Sequence, residues 1–185
     1  MIYLIRHGMD DESYIGGYSS VDLTDFGKMQ VNELGGWLQL QNLCVYKIYT
    51  SDVKRAISTA DIINSYLKLP VYKTSELREL DKGELTGMKK SMAKIKYSDY
   101  INVDDIRKRY PLGESMLDLY IRIKDLFRRI SQYDDSILVT HRGVINMFYY
   151  LLCNDELDMN KEKYGVEHAS VHELDIVKSK IRRIR

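Results

Sequence analysis

The sequence predicts an α/β domain built on a largely parallel sheet. Two apolar runs, Met1–Ile5 and Ile137–Val139, have no polar face, as a strand covered on both sides requires. Around them, short apolar segments alternate with stretches of helical periodicity, the pattern of strands joined by crossover helices. With 185 residues and 44% apolar content, the chain suits one domain, residues 1–185, with one good core.

The first strand delivers Arg6-His7-Gly8, and a loop rich in Gly, Ser, Asp and Tyr follows from Met9 to Asp22. Thr24 is an N-cap, and Val31, Leu34 and Leu38 fall at helical spacing, which predicts a helix from about Asp25 to Gln41. Tyr46–Thr50 is a second strand. After it, Ser51 or Asp52 caps a helix with Ala56, Ala60, Ile63 and Leu67 on one face. Arg55 falls in the first turn of that helix, where the dipole is positive; a cation there makes sense if an anion is to be bound. Val71–Lys73 is a third strand, followed by an acidic loop with turns at Gly83 and Gly87. The polar segment 88–112 reads as a short helical cover above the sheet.

Pro111-Leu112-Gly113-Glu114-Ser115 then breaks the chain and starts a helix with the stripe Leu119, Ile123, Leu126, Phe127 and Ile130, ending near Tyr133. The strand Ile137–Val139 delivers Thr140-His141-Arg142-Gly143, which repeats the opening order of histidine, basic residue and glycine. Val144–Leu152 is the next helix. His168–Leu174 and Ile176–Arg183 are two further strands, paired at an edge.

Composition excludes several classes. Charged residues reach 30% but nearly cancel to +1, so no nucleic-acid surface is expected, and the basic tail 178–185 reads as a solvated last strand. No run approaches the roughly 18 apolar residues of a membrane span, and no signal pattern precedes Arg6, which predicts a cytoplasmic protein without a membrane partner. Cys44 and Cys153 lack metal-ligand spacing and read as helix-end or core residues.

In a parallel sheet the loops after the strands converge at one edge, which brings Arg6, His7, Arg55, Glu79 and His141 within reach of one another. The arginines can neutralise a phosphoryl group, one histidine can attack phosphorus, and the other can hydrogen-bond the phosphoryl oxygens. A carboxylic acid can protonate the departing oxygen. Asp81 and Glu84 share the loop of Glu79 and are alternatives for that role.

Six pieces in order carry a family resemblance: Arg6-His7-Gly8; Leu23-Thr24 with Gly27; Ser51-Asp52 with Arg55-Ala56 and Thr59-Ala60; Leu77-Arg78-Glu79 with Gly83; Gly113-Glu114-Ser115 with Arg122; and His141. Together, over residues 1 to about 150, the chain resembles the histidine phosphatases, also called the phosphoglycerate mutase-like superfamily. The resemblance implies a three-layer α/β/α sandwich with a mostly parallel central sheet, and His7 as the nucleophile that carries a covalent phosphohistidine. It further implies a phosphate pocket of Arg6, Arg55 and His141, Glu79 as general acid and then base, and substrate contacts from Ser13, Gly17 and His168. No metal or other cofactor is expected, because arginines and histidines supply the positive charge.

The chain also departs from that pattern. Met9-Asp10 follow the triplet where Glu-Thr is common, Ser13 stands for an Asn, and the loop to Leu23 is about three residues short. Thr86 replaces an acid, and His168 stands where Asn is frequent. Arg142 replaces a glycine; it either adds a third cation for a multiply charged substrate or, the favoured reading, faces solvent. His172 reads as an ordinary strand residue. Tyr97, Tyr100 and Tyr110 are available to stack on a base or sugar, or simply to pack within the cover. The cofactor-dependent mutases carry a long insertion where this chain has only 88–112, and a short cover admits water. The expectation is therefore a metal-independent phosphatase for a small phosphorylated metabolite, with sugar phosphates, α-ribazole phosphate and protein phosphohistidine in range. The alternatives are a mutase-type phosphotransferase and an idle phosphate-binding regulatory module; possession of both His7 and Glu79 argues against the latter.

Overall fold

A computed structural model describes the whole chain, Met1–Arg185. The elements run β1 (Ile2–Arg6), α1 (Asp25–Leu40), β2 (Lys47–Ser51), α2 (Lys54–Leu67), β3 (Val71–Thr74), α3 (Lys90–Lys96), α4 (Met116–Arg128), β4 (Ser136–Thr140), α5 (Arg142–Cys153), β5 (Val171–Asp175) and β6 (Lys180–Arg183). They form one six-stranded sheet in the order β3-β2-β4-β1-β5-β6. The strands β3, β2, β4 and β1 are mutually parallel, while β5 runs antiparallel to both β1 and β6.

The continuous apolar runs are explained by layers on both faces. Ile5, Ile137 and Val139 pack with Val31, Leu34 and Leu38 of α1 and Ala56, Ala60 and Ile63 of α2. Ile2, Leu4 and Leu138 point the other way, against Leu119, Ile123 and Leu126 of α4 and Val144, Ile145 and Phe148 of α5. Alternate residues of one strand thus feed two cores. No helix is long and apolar enough to cross a membrane.

Several boundaries differ from the sequence reading, each for a local reason. Neither Ser51 nor Asp52 caps α2, whose N-cap is Val53 without a side-chain cap. Asp52 is held instead by Arg78 through two 2.6 Å hydrogen bonds, and Ser51 Oγ lies 2.9 Å from His141 Nε2. The helix α4 stops at Arg128, and a separate 3-10 turn covers Ile130–Tyr133. The strand β5 begins at Val171 rather than His168, because Ala169 sits at φ 57° in a turn whose N–H donates to His7 O (3.2 Å). β6 begins at Lys180, after a tight hairpin that places Ser179 at φ 49°. Both cysteines are exposed, Cys153 at the end of α5 and Cys44 in the loop before β2, so neither is a core residue.

His172 is fully buried on β5 between the hydroxyls of Tyr149 (2.9 Å to Nδ1) and Ser170 (2.9 Å to Nε2). Burial, followed by the charge of Arg183, pushes its pKa from 6.5 down to about 4. Between those values the unfolded chain takes up a proton that the folded chain refuses, so stability present above pH 6.5 is lost as pH falls toward about 4. The contribution is at most about 3 kcal/mol. Urea unfolding across that window should show the loss, with a shallower slope in His172→Gln; parallel slopes in the two proteins would refute the assignment.

Candidate active site

The parallel register of β1 and β4 pairs Arg6 with Thr140, so the next residue on each strand is a histidine at the carboxyl edge. His7 N donates to Thr140 O (3.0 Å), and the His7 and His141 rings lie 5.1 Å apart. The chain can leave β1 here only because it runs directly against α1. A Cβ on Gly27 would stand 2.0 Å from Met9 O, which explains that glycine inside a helix.

Arg55 lies between the two histidines, 2% exposed. Its Nε donates to His7 Nε2 (3.1 Å), and its Nη2 to Gly17 O (2.9 Å) and His141 Nδ1 (3.2 Å). Its Nη1 reaches Ser19 Oγ (3.4 Å). Arg6 donates to Val166 O (2.9 Å) and His168 Nε2 (2.6 Å), while its Nε is buried with no hydrogen-bond partner.

These contacts define the tautomers. Gly8 O can only accept, so His7 Nδ1, at 2.8 Å, carries the proton, and the Nε2 lone pair accepts from Arg55 Nε at 3.1 Å. Arginine can only donate, so His141 Nδ1 is an acceptor and Nε2–H faces Ser51 Oγ. Burial, then Arg55, His141 and Arg6, holds the His7 pKa well below its ordinary value. Burial, then Arg55, Arg6 and Arg122, does the same for His141. Both rings are neutral at neutral pH, and a neutral imidazole keeps the lone pair that nucleophilic attack needs.

The acid loop is held by Arg122, whose Nη2 donates to the carbonyls of Arg78 and Glu79 at 3.1 Å each. Its Nε pairs with Glu114 (2.9 Å), which in turn accepts from Asp81 N–H (3.0 Å). Glu79 is thereby aimed at the N-terminus of α5, where its carboxylate accepts from Gly143 N–H (3.2 Å) and Leu80 N–H (3.0 Å). A Cβ at position 143 would lie 2.2 Å from Glu79 Oε1. The other two acids of the loop point elsewhere. Asp81 accepts from Gly83 N–H (2.8 Å), Glu84 accepts from the Tyr97 hydroxyl (2.7 Å), and neither lines the cavity.

The cavity measures about 240 Å³, and Arg6, His7, Gly17, Arg55 and Glu79 all line it. His141 and His168 lie behind that wall, His141 fully buried. Ser13 is not brought to the site. It is exposed, its N–H turned onto Asp11 Oδ1 (2.9 Å) and its carbonyl onto Lys90 N–H (2.8 Å), while Glu12 and Tyr14 line the cavity instead. Arg142 does not simply face solvent: it lines the cavity and pairs with Glu162. Of the cover segment only Lys90 reaches the cavity, while Tyr97, Tyr100 and Tyr110 pack on one another. A second wall, Asp158–Lys161, comes from the loop after α5 and carries no motif by which the sequence could have announced it.

Asp10 also emerges from the structure. Its carboxylate lies 3.4 Å from Arg55 Nε and 3.7 Å from His168 Nε2, with the side chain 14% exposed. Burial pushes its pKa up, but the hydrogen-bonding reach of His168 and the charge of Arg55 outweigh this, and it titrates below the ordinary value. His7, Asp10 and His168 are also the residues with metal-ligand chemistry, their ligand atoms lying within 4.8 Å of one another. Guanidinium donors already engage both imidazole lone pairs there.

The sequence profile described as histidine phosphatase superfamily (branch 1) matches residues 2–184. The bifunctional 6-phosphofructo-2-kinase/fructose-2,6-bisphosphatase 3 of Bos taurus is 31% identical over 149 residues, which are 77% of this chain and 31% of that protein. The chain thus spans about a third of the length of such relatives. The α-ribazole phosphatase of Shigella flexneri superposes with a TM-score of 0.81 at 22% identity, over 98% of this chain and 93% of that one. A mycobacterial glucosyl-3-phosphoglycerate phosphatase in complex with VO3 superposes at 0.78 with 21% identity, over 98% and 94%.

An ionised Asp10 beside Arg55 opposes any phosphate that Arg55 binds. Asp10→Asn should therefore tighten the binding of inorganic phosphate at neutral pH by about tenfold, the effect of one nearby like charge in a partly buried site. Calorimetric titration reads this directly, and unchanged or weaker binding would refute it.

Proposed function

This chain belongs to the histidine phosphatase superfamily, and from that membership we propose that it hydrolyses phosphate monoesters of small metabolites through a phosphohistidine on His7. The observation that carries this reading is the His7 ring: Nδ1–H is anchored on Gly8 O, and Nε2 is held neutral, facing a cavity with two guanidinium groups and Glu79.

In the first step Arg55 Nε leaves His7 Nε2 for a phosphoryl oxygen, the released Nε2 lone pair attacks phosphorus, and the bond from phosphorus to the leaving oxygen breaks. Glu79, as the general acid, passes a proton to that oxygen. Arg55 and the unpartnered Nε of Arg6 donate to the equatorial oxygens, where charge accumulates. His141, behind the cavity wall, supports them by accepting from Arg55 Nη2 at Nδ1. In the second step water attacks the phosphohistidine, Glu79 takes its proton, the P–N bond breaks, and inorganic phosphate leaves. Hydrolysis is favoured over transfer to a second substrate because the cover contributes only Lys90 to the cavity wall, which leaves an approach for water.

The names of the relatives put fructose 2,6-bisphosphate, glucosyl-3-phosphoglycerate and α-ribazole 5′-phosphate among the esters to assay first. With para-nitrophenyl phosphate, His7→Ala should lower turnover at least about 10⁴-fold. Glu79→Gln should cost more on β-glycerophosphate, by about 10²–10⁴-fold, than on para-nitrophenyl phosphate, whose leaving group departs without a proton. Turnover that survives His7→Ala would overturn the mechanism, and equal losses on the two esters would remove Glu79 as the acid.

A further inference from the structure

One side of the cavity is cationic beyond what phosphoryl transfer uses. Lys82 from the acid loop, Lys90 at the start of α3 and Lys161 from the loop after α5 all line it. The acids that share the cavity are engaged elsewhere. Asp10 faces Arg55 and His168, Glu79 accepts from backbone N–H groups, and Asp158 accepts from Tyr150 and Lys163. This leaves only the exposed Glu12.

Lys82 is half-buried, with its Nζ 5.5 Å from the centre of the Tyr110 ring. Burial, followed by the charge of Lys161, pushes its ammonium down to about 8; Glu79 opposes this, and Lys90 adds a smaller downward push. An ammonium taken from water beside two like charges is unfavourable in the free protein, and an anion lying among the three relieves both effects. Lys90 and Lys161 are exposed, but the loop that carries Lys161 is fixed at its backbone. Asn146 Nδ2 donates to Lys161 O (2.9 Å), and Tyr150 and Tyr164 tie the same loop down through Asp158 and Asp155.

We propose that Lys82, Lys90 and Lys161 form a second anion subsite, so that the ester cleaved by His7 carries a further carboxylate or phosphate on its leaving group. The subsite rests on the phosphatase reading for its biological sense, but its anion preference is measurable without turnover. The probes are phosphonates, whose C–P bond the site does not cleave: 3-phosphonopropionate against propylphosphonate, with the homologues one methylene shorter and longer, by calorimetric titration. In the wild type at least one acid of the series should bind about tenfold or more tightly than its alkyl counterpart. Lys82→Met, which keeps the apolar stem, and Lys161→Met should each shrink that ratio toward one, while Lys82→Arg and the remote Lys178→Met preserve it. Because the ratio is taken within one protein, a change in turnover does not enter it. A ratio near one throughout the wild-type series, or a preference that survives both Met variants, overturns the subsite. Failure of the catalytic reading shows separately, as para-nitrophenyl phosphate release that persists in His7→Ala.

Discussion

A buried guanidinium organises this molecule. Arg55 is almost wholly removed from water, yet its neighbours include two imidazoles, a carbonyl, a hydroxyl and the Asp10 carboxylate. A charge so placed is tolerable only if its donors are satisfied, and the loop after β1 is folded to satisfy them. The same charge is a cause of the neutrality of His7 and His141, second only to burial in each. One side chain therefore shapes the loop and helps to keep both imidazoles neutral.

The remaining parts of the site are held in register with that centre by contacts that never touch the cavity. Arg122 gathers carbonyls of the acid loop and Glu114 into one cluster, which fixes Glu79 from behind. The N-terminus of α5 fixes it from the front, and the absence of a side chain at Gly143 lets the carboxylate approach. The motif Gly113-Glu114-Ser115 with Arg122 thus positions Glu79: Glu114 belongs to the clamp, and Ser115 caps α4, which carries Arg122. The walls of the cavity come from separate loops, among them 12–17, 79–82 and 158–161.

The departures noted in the sequence acquire specific roles in the structure. Asp10, where a hydroxyl residue is common, brings a negative charge against Arg55, and Arg142, where glycine is common, joins the cavity wall through Glu162. Ser13, by contrast, follows its turn outward and leaves the site to its neighbours Glu12 and Tyr14. A substitution read along one dimension could not distinguish these outcomes, because the direction of a side chain in a loop depends on turns that close several residues away.

The order of strands and helices and the residue types at the sheet edge, Arg6-His7, Arg55 and His141 among them, were legible in the sequence. These are local signals: apolar runs without a polar face, helical spacing, and short motifs at strand ends. Only the folded chain decided which acid faces the cavity, which ring nitrogen of each histidine accepts from Arg55, and that the lysines at 82, 90 and 161 line the same cavity. Each depends on groups distant in the chain, such as the 36 residues from Ser19 to Arg55 or the 64 from Glu79 to Gly143. Hydrogen bonds and charge act through space, so their sum at a side chain exists only once the chain has folded.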